Sequence, residues 1–287
     1  MSRRGCASLA TGRTFGRMKV IIITGASDGI GAEVARQLAA AQRNSLALVL
    51  AARNRDKLEA VAQQCSASGT KTLVVPTDVA QESQCRAMVG QTVSQFGRID
   101  ALINNAGVSA QALFGDVTAE DLHWYEDLMR INLWGSVWCT HAALPHLTQS
   151  KGAIVAVSSL AGLIGVPGRT AYSATKFAMT GFFEALRAEL KPAGVSVTTA
   201  FPGVVATEIR YRGYNARGVP AGSSGLKEDD AMSVEECARL IIDGMNGRER
   251  EVVMTARGKL GRFLKLMAPG VVENMALAAL KDDVRPH

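Results

Sequence analysis

A short β-branched run, Lys19–Thr24, opens into the turn Thr24-Gly25-Ala26-Ser27-Asp28-Gly29-Ile30-Gly31, and Ile30–Ala41 then takes up helical spacing. A glycine-rich turn between a strand and a helix allows the backbone to approach a ligand closely. It also points the free N–H groups of the helix start at whatever sits there, which favours an anion such as a pyrophosphate. The alternation continues with strands expected at Leu46–Ala52, Lys71–Pro76 and Asp100–Ile103. Helices are expected between them at Arg55–Ala67 and Gln81–Phe96. Repeated β-α-β units with right-handed crossovers imply an α/β fold, a Rossmann-type doubly wound parallel sheet with helices on both faces in a single domain.

The second half continues the pattern. Glu120–Leu147 reads largely as one long helix ending near Pro145, Ala153–Ser158 as a strand, Thr170–Lys191 as a helix and Val195–Phe201 as a strand. The long helix carries Trp134, Val137, Trp138, Cys139 and Ala142, and the later one Phe177, Met179, Phe182, Phe183 and Leu186. Helices apolar on several sides must be buried on several sides, so a homodimer or homotetramer is expected. The expected layout is a disordered tail over 1–17, a catalytic domain over 18–255 and a C-terminal helical extension of the same domain over 256–287. The Gly- and Arg-rich stretch over about 207–230 is expected to be a mobile substrate lid.

Composition narrows the class. The 287 residues carry a formal charge of +6 and are 47% hydrophobic, enough for a large core. Arg3, Arg4, Arg13, Arg17 and Lys19 all fall in the first nineteen positions, so the remainder is near neutral and no nucleic-acid surface is indicated. Five scattered cysteines without a C-x-x-C, and four ungrouped histidines, give neither a disulfide framework nor a metal site. No run is apolar and long enough to span a bilayer, and the cytoplasm is the expected compartment. Lys259–Met267 is basic and amphipathic; packing against the subunit or its partner is preferred there to peripheral membrane contact.

The second strand ends in Ala52-Arg53-Asn54. An NAD site places an acid there for the ribose 2′-hydroxyl, whereas an arginine suits a 2′-phosphate. NADP(H) is therefore favoured and NAD(H) kept open. Asp28 opposes that choice unless it pairs with another group, and Arg53 is the candidate.

Tyr172 and Lys176 stand four residues apart, about one helical turn, so both project from one face. A cation beside a phenol favours its anion and makes it a proton donor and acceptor for carbonyl–alcohol chemistry. With the glycine loop, Asn104–Gly107, Tyr172 and Lys176 in this order, residues 19–210 resemble the short-chain dehydrogenase/reductase family, in its single-domain branch with T-G-x-x-x-G-x-G and Y-x-x-x-K. The resemblance implies a catalytic set of Asn132, Ser159, Tyr172 and Lys176, with Ser158 the less suitable serine. It implies cofactor contacts from Gly25, Ser27, Asp28, Gly29, Ile30, Gly31, Arg53, Asn54, Asp78, Val79, Asn105, Ala106, Gly107, Tyr172, Lys176, Pro202, Gly203 and Thr207. Ser158–Gly162 and the long segment after Arg248 look most like hydroxysteroid-dehydrogenase-like reductases.

The expected activity is hydride transfer between NADP(H) and a small-molecule carbonyl or secondary alcohol. Tyr172 would be the general acid/base, Lys176 would lower its pKa, Ser159 would bond the carbonyl oxygen and Asn132 would position a proton-relaying water. An NAD-dependent enzyme of the same family is the alternative. A non-catalytic dinucleotide sensor is disfavoured because such proteins lose the Tyr or the Lys.

Overall fold

The computed structural model describes residues 18–226 and 231–280; the expected tail over 1–17 lies outside the described residues, as do the ends of the lid and of the C-terminal extension. Seven parallel strands form one sheet in the order β3-β2-β1-β4-β5-β6-β7. They are β1 (Lys19–Thr24), β2 (Leu46–Ala52), β3 (Lys71–Pro76), β4 (Ala101–Asn104), β5 (Ala153–Val157), β6 (Ser196–Phe201) and β7 (Glu251–Val253). The helices between them are α1 (Gly29–Gln42), α2 (Arg55–Ser66), α3 (Glu82–Phe96), α4 (His123–Met129), α5 (Gly135–Ser150), α6 (Thr170–Leu190) and α7 (Val234–Asn246). They are followed by α8 (Ala256–Met267) and α9 (Pro269–Ala278).

The central strands are apolar throughout because helices cover both faces of the sheet. β1 and β2 bury nearly every residue, and Ile21, Ile23, Leu48 and Leu50 pack into one layer while Val20, Ile22, Ala47 and Val49 pack into the other. The alternation of side chains along each strand creates this division. The two edges differ. β3 is half-buried, and β7 is only three residues, a short edge that offers little to an incoming strand. β7 and α7 carried no expectation from the periodicity.

The long helix differs from its expectation in two ways. It does not end near Pro145 but runs to Ser150 and stops at Lys151, whose φ of 51° is left-handed. Proline removes one backbone donor, and the buried Ala143 and Leu147 on either side hold the turn against the sheet. Between α4 and α5, residues Arg130–Trp134 form a single wide π-helical turn. That turn contains Asn132.

The strand order reverses at the boundary between β1 and β4, which opens a crevice beyond their carboxyl ends. The glycine turn leaves β1 into this crevice and Asn105-Ala106-Gly107 leaves β4 into it.

Candidate active site

One large cavity, about 1590 Å³, lies along the carboxyl edge of the sheet. An ordinary small-molecule pocket holds roughly 300–1,000 Å³, so this one has room for a dinucleotide and a second molecule. Of the residues named from sequence, Asn132 and Gly31 are absent from its lining and the others form part of its wall. Both act from behind that wall.

At the phosphate end, Gly31 lets α1 start against the preceding turn: a Cβ there would collide with the carbonyl oxygen of Gly25. Gly25 has φ of 66°, and a Cβ on it would lie 2.9 Å from the Cα of Ala106. Asn105 donates through Nδ2 to the carbonyls of Thr24 (3.0 Å) and Gly25 (3.2 Å), which locks the turn to the end of β4. A cradle that any β-carbon would fill is what close backbone approach to a pyrophosphate requires.

The carboxylate of Asp28 does not pair with Arg53, as expected, but with Arg212 at 2.6 Å and Lys57 at 3.5 Å. Arg212 arrives from the segment after β6, which no local spacing could reveal. Arg53 stands exposed at the end of β2, and Asn54 caps α2 by accepting from the backbone N–H of Lys57. Asp78 turns the chain after β3, its Oδ1 accepting from the N–H of Ala80 at 3.0 Å.

At the other end, Tyr172 and Lys176 project from the first turns of α6, both buried. Lys176 donates from Nζ to the carbonyl of Val157 (2.9 Å), and burial pulls its pKa down to about 8. For Tyr172, burial pushes the phenol up from its ordinary value, opposed by the charge of Arg169, by hydrogen bonding with Ser159 and by the charge of Arg210. The expected depression by Lys176 is thus corrected: a desolvated phenol favours its neutral form, and the counteracting charges come from two arginines absent from the sequence reading. Arg169 could have been suspected from its place one turn before Tyr172; Arg210 has no such signal.

Ser159 follows β5, and its Oγ accepts from the N–H of Ala161. Ser158 lines the cavity too, but its hydroxyl is engaged, 3.3 Å from the carbonyl of Lys176 and 3.3 Å from Oγ1 of Thr180. Leu160 donates its N–H to the carbonyl of Pro202 (2.9 Å), which joins the serine loop to the Pro202-Gly203 turn. Thr207 lies opposite the phosphate turn, where a Cβ on Gly29 would approach its methyl group at 3.4 Å.

Asn132 is fully buried. Its Oδ1 accepts from the N–H of Val108 (2.8 Å), while Nδ2 donates to the carbonyl of Val108 (2.9 Å) and to Oγ1 of Thr175 (3.0 Å). Its side chain therefore pins the 105–108 segment to α6. A Cβ on Gly107 would sit 3.1 Å from Oδ1 of Asn132 and 3.7 Å from Nζ of Lys176, so the two converge on one spot.

Residues 207–226 cover the cavity and are tied down by Tyr214, whose N–H donates to Ser109 and whose carbonyl accepts from Gln111. α8 places Gly258 and Gly261 against Leu160 and Ile164, with Leu260, Phe263 and Leu266 outward. No helix of the described residues is long and apolar enough to cross a membrane, and none of their His, Cys, Asp and Glu residues group as metal ligands.

A phosphate cradle at the switch point of a parallel sheet, next to a buried Tyr–Lys pair, defines a nicotinamide-dinucleotide-dependent oxidoreductase acting on CH–OH or C=O groups. The short chain dehydrogenase family matches residues 19–216, and the chain belongs to it. An "11-beta-hydroxysteroid dehydrogenase-like 2" of Arabidopsis thaliana is 36% identical over 256 residues, 89% of this chain and 79% of the relative. The "11-beta-hydroxysteroid dehydrogenase-like 4A" of the same plant is 43% identical over 228 residues, 79% and 73% of the two chains. Among solved structures, an alcohol dehydrogenase of the archaeon Thermococcus sibiricus, complexed with 5-hydroxy-NADP, is 26% identical with a TM-score of 0.69. It covers 83% of this chain and 94% of its own. A short chain dehydrogenase/reductase from Burkholderia phymatum in complex with NAD shares the fold, at 23% identity and a TM-score of 0.76, over 89% and 95% of the two chains.

Proposed function

We propose that this protein is an NADP(H)-dependent reductase of bulky apolar ketones and dehydrogenase of the matching secondary alcohols, with Tyr172 as its general acid/base. The observation that carries the reading is the meeting of Ser159, Tyr172 and Lys176 in the wall of one cavity at the carboxyl edge of the sheet. The apolar part of that wall, with Leu160, Ile164, Val166, Val272 and Met275, supports an apolar substrate, as do the hydroxysteroid dehydrogenase names of the relatives.

The nicotinamide, when bound, supplies or accepts the hydride. The amides of Gly25–Gly31 would hold the pyrophosphate, Asp78 and Val79 the adenine side, Asn105–Gly107 the ribose side, and Pro202, Gly203 and Thr207 the nicotinamide side. In reduction Tyr172 donates its proton to the carbonyl oxygen, and in oxidation it takes the alcohol proton. Ser159 donates a hydrogen bond to that oxygen, where charge develops. Lys176, with a pKa near 8, can return a proton to Tyr172 at neutral pH and bind the ribose hydroxyls. Asn132 keeps the ribose-lining segment in place through Val108. Arg53 at the end of β2 supports the NADP reading, because the carboxylate of Asp28 is engaged by Arg212 and Lys57.

Tyr172→Phe tests the mechanism. Turnover on a panel of ketones and secondary alcohols should fall by about 10²–10⁴ while dinucleotide binding is kept. Turnover like that of the parent chain would overturn the assignment. Binding of both dinucleotides to the parent chain tests the cofactor.

The exposed Trp134, stacked 5.9 Å from Trp138, and the exposed Phe177 support a homo-oligomer formed through the faces of α5 and α6. Light scattering at micromolar concentration checks it, with a monomer as the contrary result.

A further inference from the structure

We propose that Arg212, with Lys57, forms the second half of the site that selects the 2′-phosphate, so that the chain segment covering the substrate cavity itself reads which dinucleotide is bound. The inference rests on the NADP(H) reading above.

Asp28 occupies the N-cap position of α1, a place where an aspartate commonly accepts from the free helix N–H groups. It makes no such bond. Its carboxylate is turned to Nη1 of Arg212 and Nζ of Lys57 instead, in the cavity whose wall also holds Arg53 and Asn54. Two cations thus meet one carboxylate, and with Arg53 in the same wall these four groups carry an excess of two positive charges, a match for a phosphate monoester carrying about two negative charges.

The Asp28 pairs are easy to exchange. The side chains of Arg212 and Asp28 are 53% and 39% exposed, and ion pairs that open to water contribute little to stability. A phosphate offers Arg212 a two-pronged, charge-assisted contact that one carboxylate oxygen does not. Asp28, once released, is exposed enough to hydrate. The carboxylate is therefore an internal anion that keeps the cations together until the phosphate displaces it.

Arg212 lies two residues before Tyr214, which lines the cavity and is bound to the Ser109–Gln111 stretch. Contact between Arg212 and the 2′-phosphate would anchor this covering segment on the cofactor. NADPH, but not NADH, would then hold the substrate wall in place.

The experiment measures dissociation constants of NADPH, NADH, 2′,5′-ADP and 5′-AMP for the parent chain, Arg212→Gln, Arg212→Lys and Asp28→Asn. Thermal melting of each variant confirms folding. Arg212→Gln should weaken NADPH and 2′,5′-ADP by about tenfold, the loss of one charge-assisted contact, and leave NADH and 5′-AMP unchanged. Arg212→Lys should retain part of the preference, and Asp28→Asn should tighten NADPH. If the parent chain prefers NADPH and Arg212→Gln keeps the full ratio, the role of Arg212 is overturned and the NADP(H) reading stands. If the parent chain shows no preference for NADPH, the NADP(H) reading itself falls.

Discussion

The guanidinium carbon of Arg169 lies 5.7 Å from the centroid of the Tyr172 ring, at the same distance as the ammonium of Lys176. Arg169 is buried, immediately precedes α6, and donates from Nη1 to Oγ of Ser109 at 3.0 Å. Tyr172 is therefore flanked by Lys176 on its own helix, Arg169 at the start of that helix, Arg210 from the segment after β6, and the hydroxyl of Ser159 after β5. A charge at this distance in a desolvated site acts on a phenolate far more strongly than it would in water.

Arg169 is expected to keep the phenolate accessible. Oxidation requires Tyr172 deprotonated, so its rate rises through the phenol's pKa as pH increases. In Arg169→Gln the phenolate loses a stabilising charge, and this rise should move to higher pH. Arg169→Lys should restore most of it. The pH profile of kcat/KM for alcohol oxidation is the measurement, with NADPH binding as the control. An unshifted limb in a folded variant would show that Arg169 serves only packing.

Lys176 is kept at the cost of stability. Its pKa falls from 10.5 in the free side chain to about 8 in the fold, through burial. Below pH 8 the chain folds against the desolvation of a charge, and between about 8 and 10.5 the unfolded state holds a proton that the folded state has lost. Stability should therefore rise with pH across that window. Lys176→Met should stabilise the fold at pH 7, by at most on the order of 3 kcal/mol before the lost bond to Val157 is counted, which a higher melting temperature would show, and should abolish turnover. A variant less stable than its parent would contradict the sign.

Asn132 should behave as a structural hub. Removing its side chain leaves the N–H and carbonyl of Val108 without their partners in the interior, each costing about 1–3 kcal/mol. Asn132→Ala should lower stability by a few kcal/mol and weaken dinucleotide binding along with turnover. Asn132→Asp keeps the acceptor and loses the donors, and should fall between. Chemical denaturation with cofactor titration separates these outcomes; an alanine variant with parental stability would count against the hub.

The alternation of strand and helix, the glycine turn and the Tyr–Lys spacing were legible because each is written within a few consecutive residues. β1, β2 and β3 occur where the apolar runs place them. Other features were not. The wide turn at Arg130–Trp134 looks like any stretch of helix in the sequence, because only the fit of Asn132 against Val108 and Thr175 distinguishes it. The long helix runs past Pro145 to Ser150, because burial of Ala143 and Leu147 outweighs one missing donor.

By itself, then, the sequence determined the sheet, the glycine turn and the placing of Tyr172 and Lys176 on one helix, all features of local spacing. The tertiary structure alone decided the electrostatics of that pair. Arg210 and Arg212 are remote in sequence from the groups they act on, and burial sets the sign of the shifts on Tyr172 and Lys176. Charge and desolvation act through space, over distances that the order of residues along the chain does not encode.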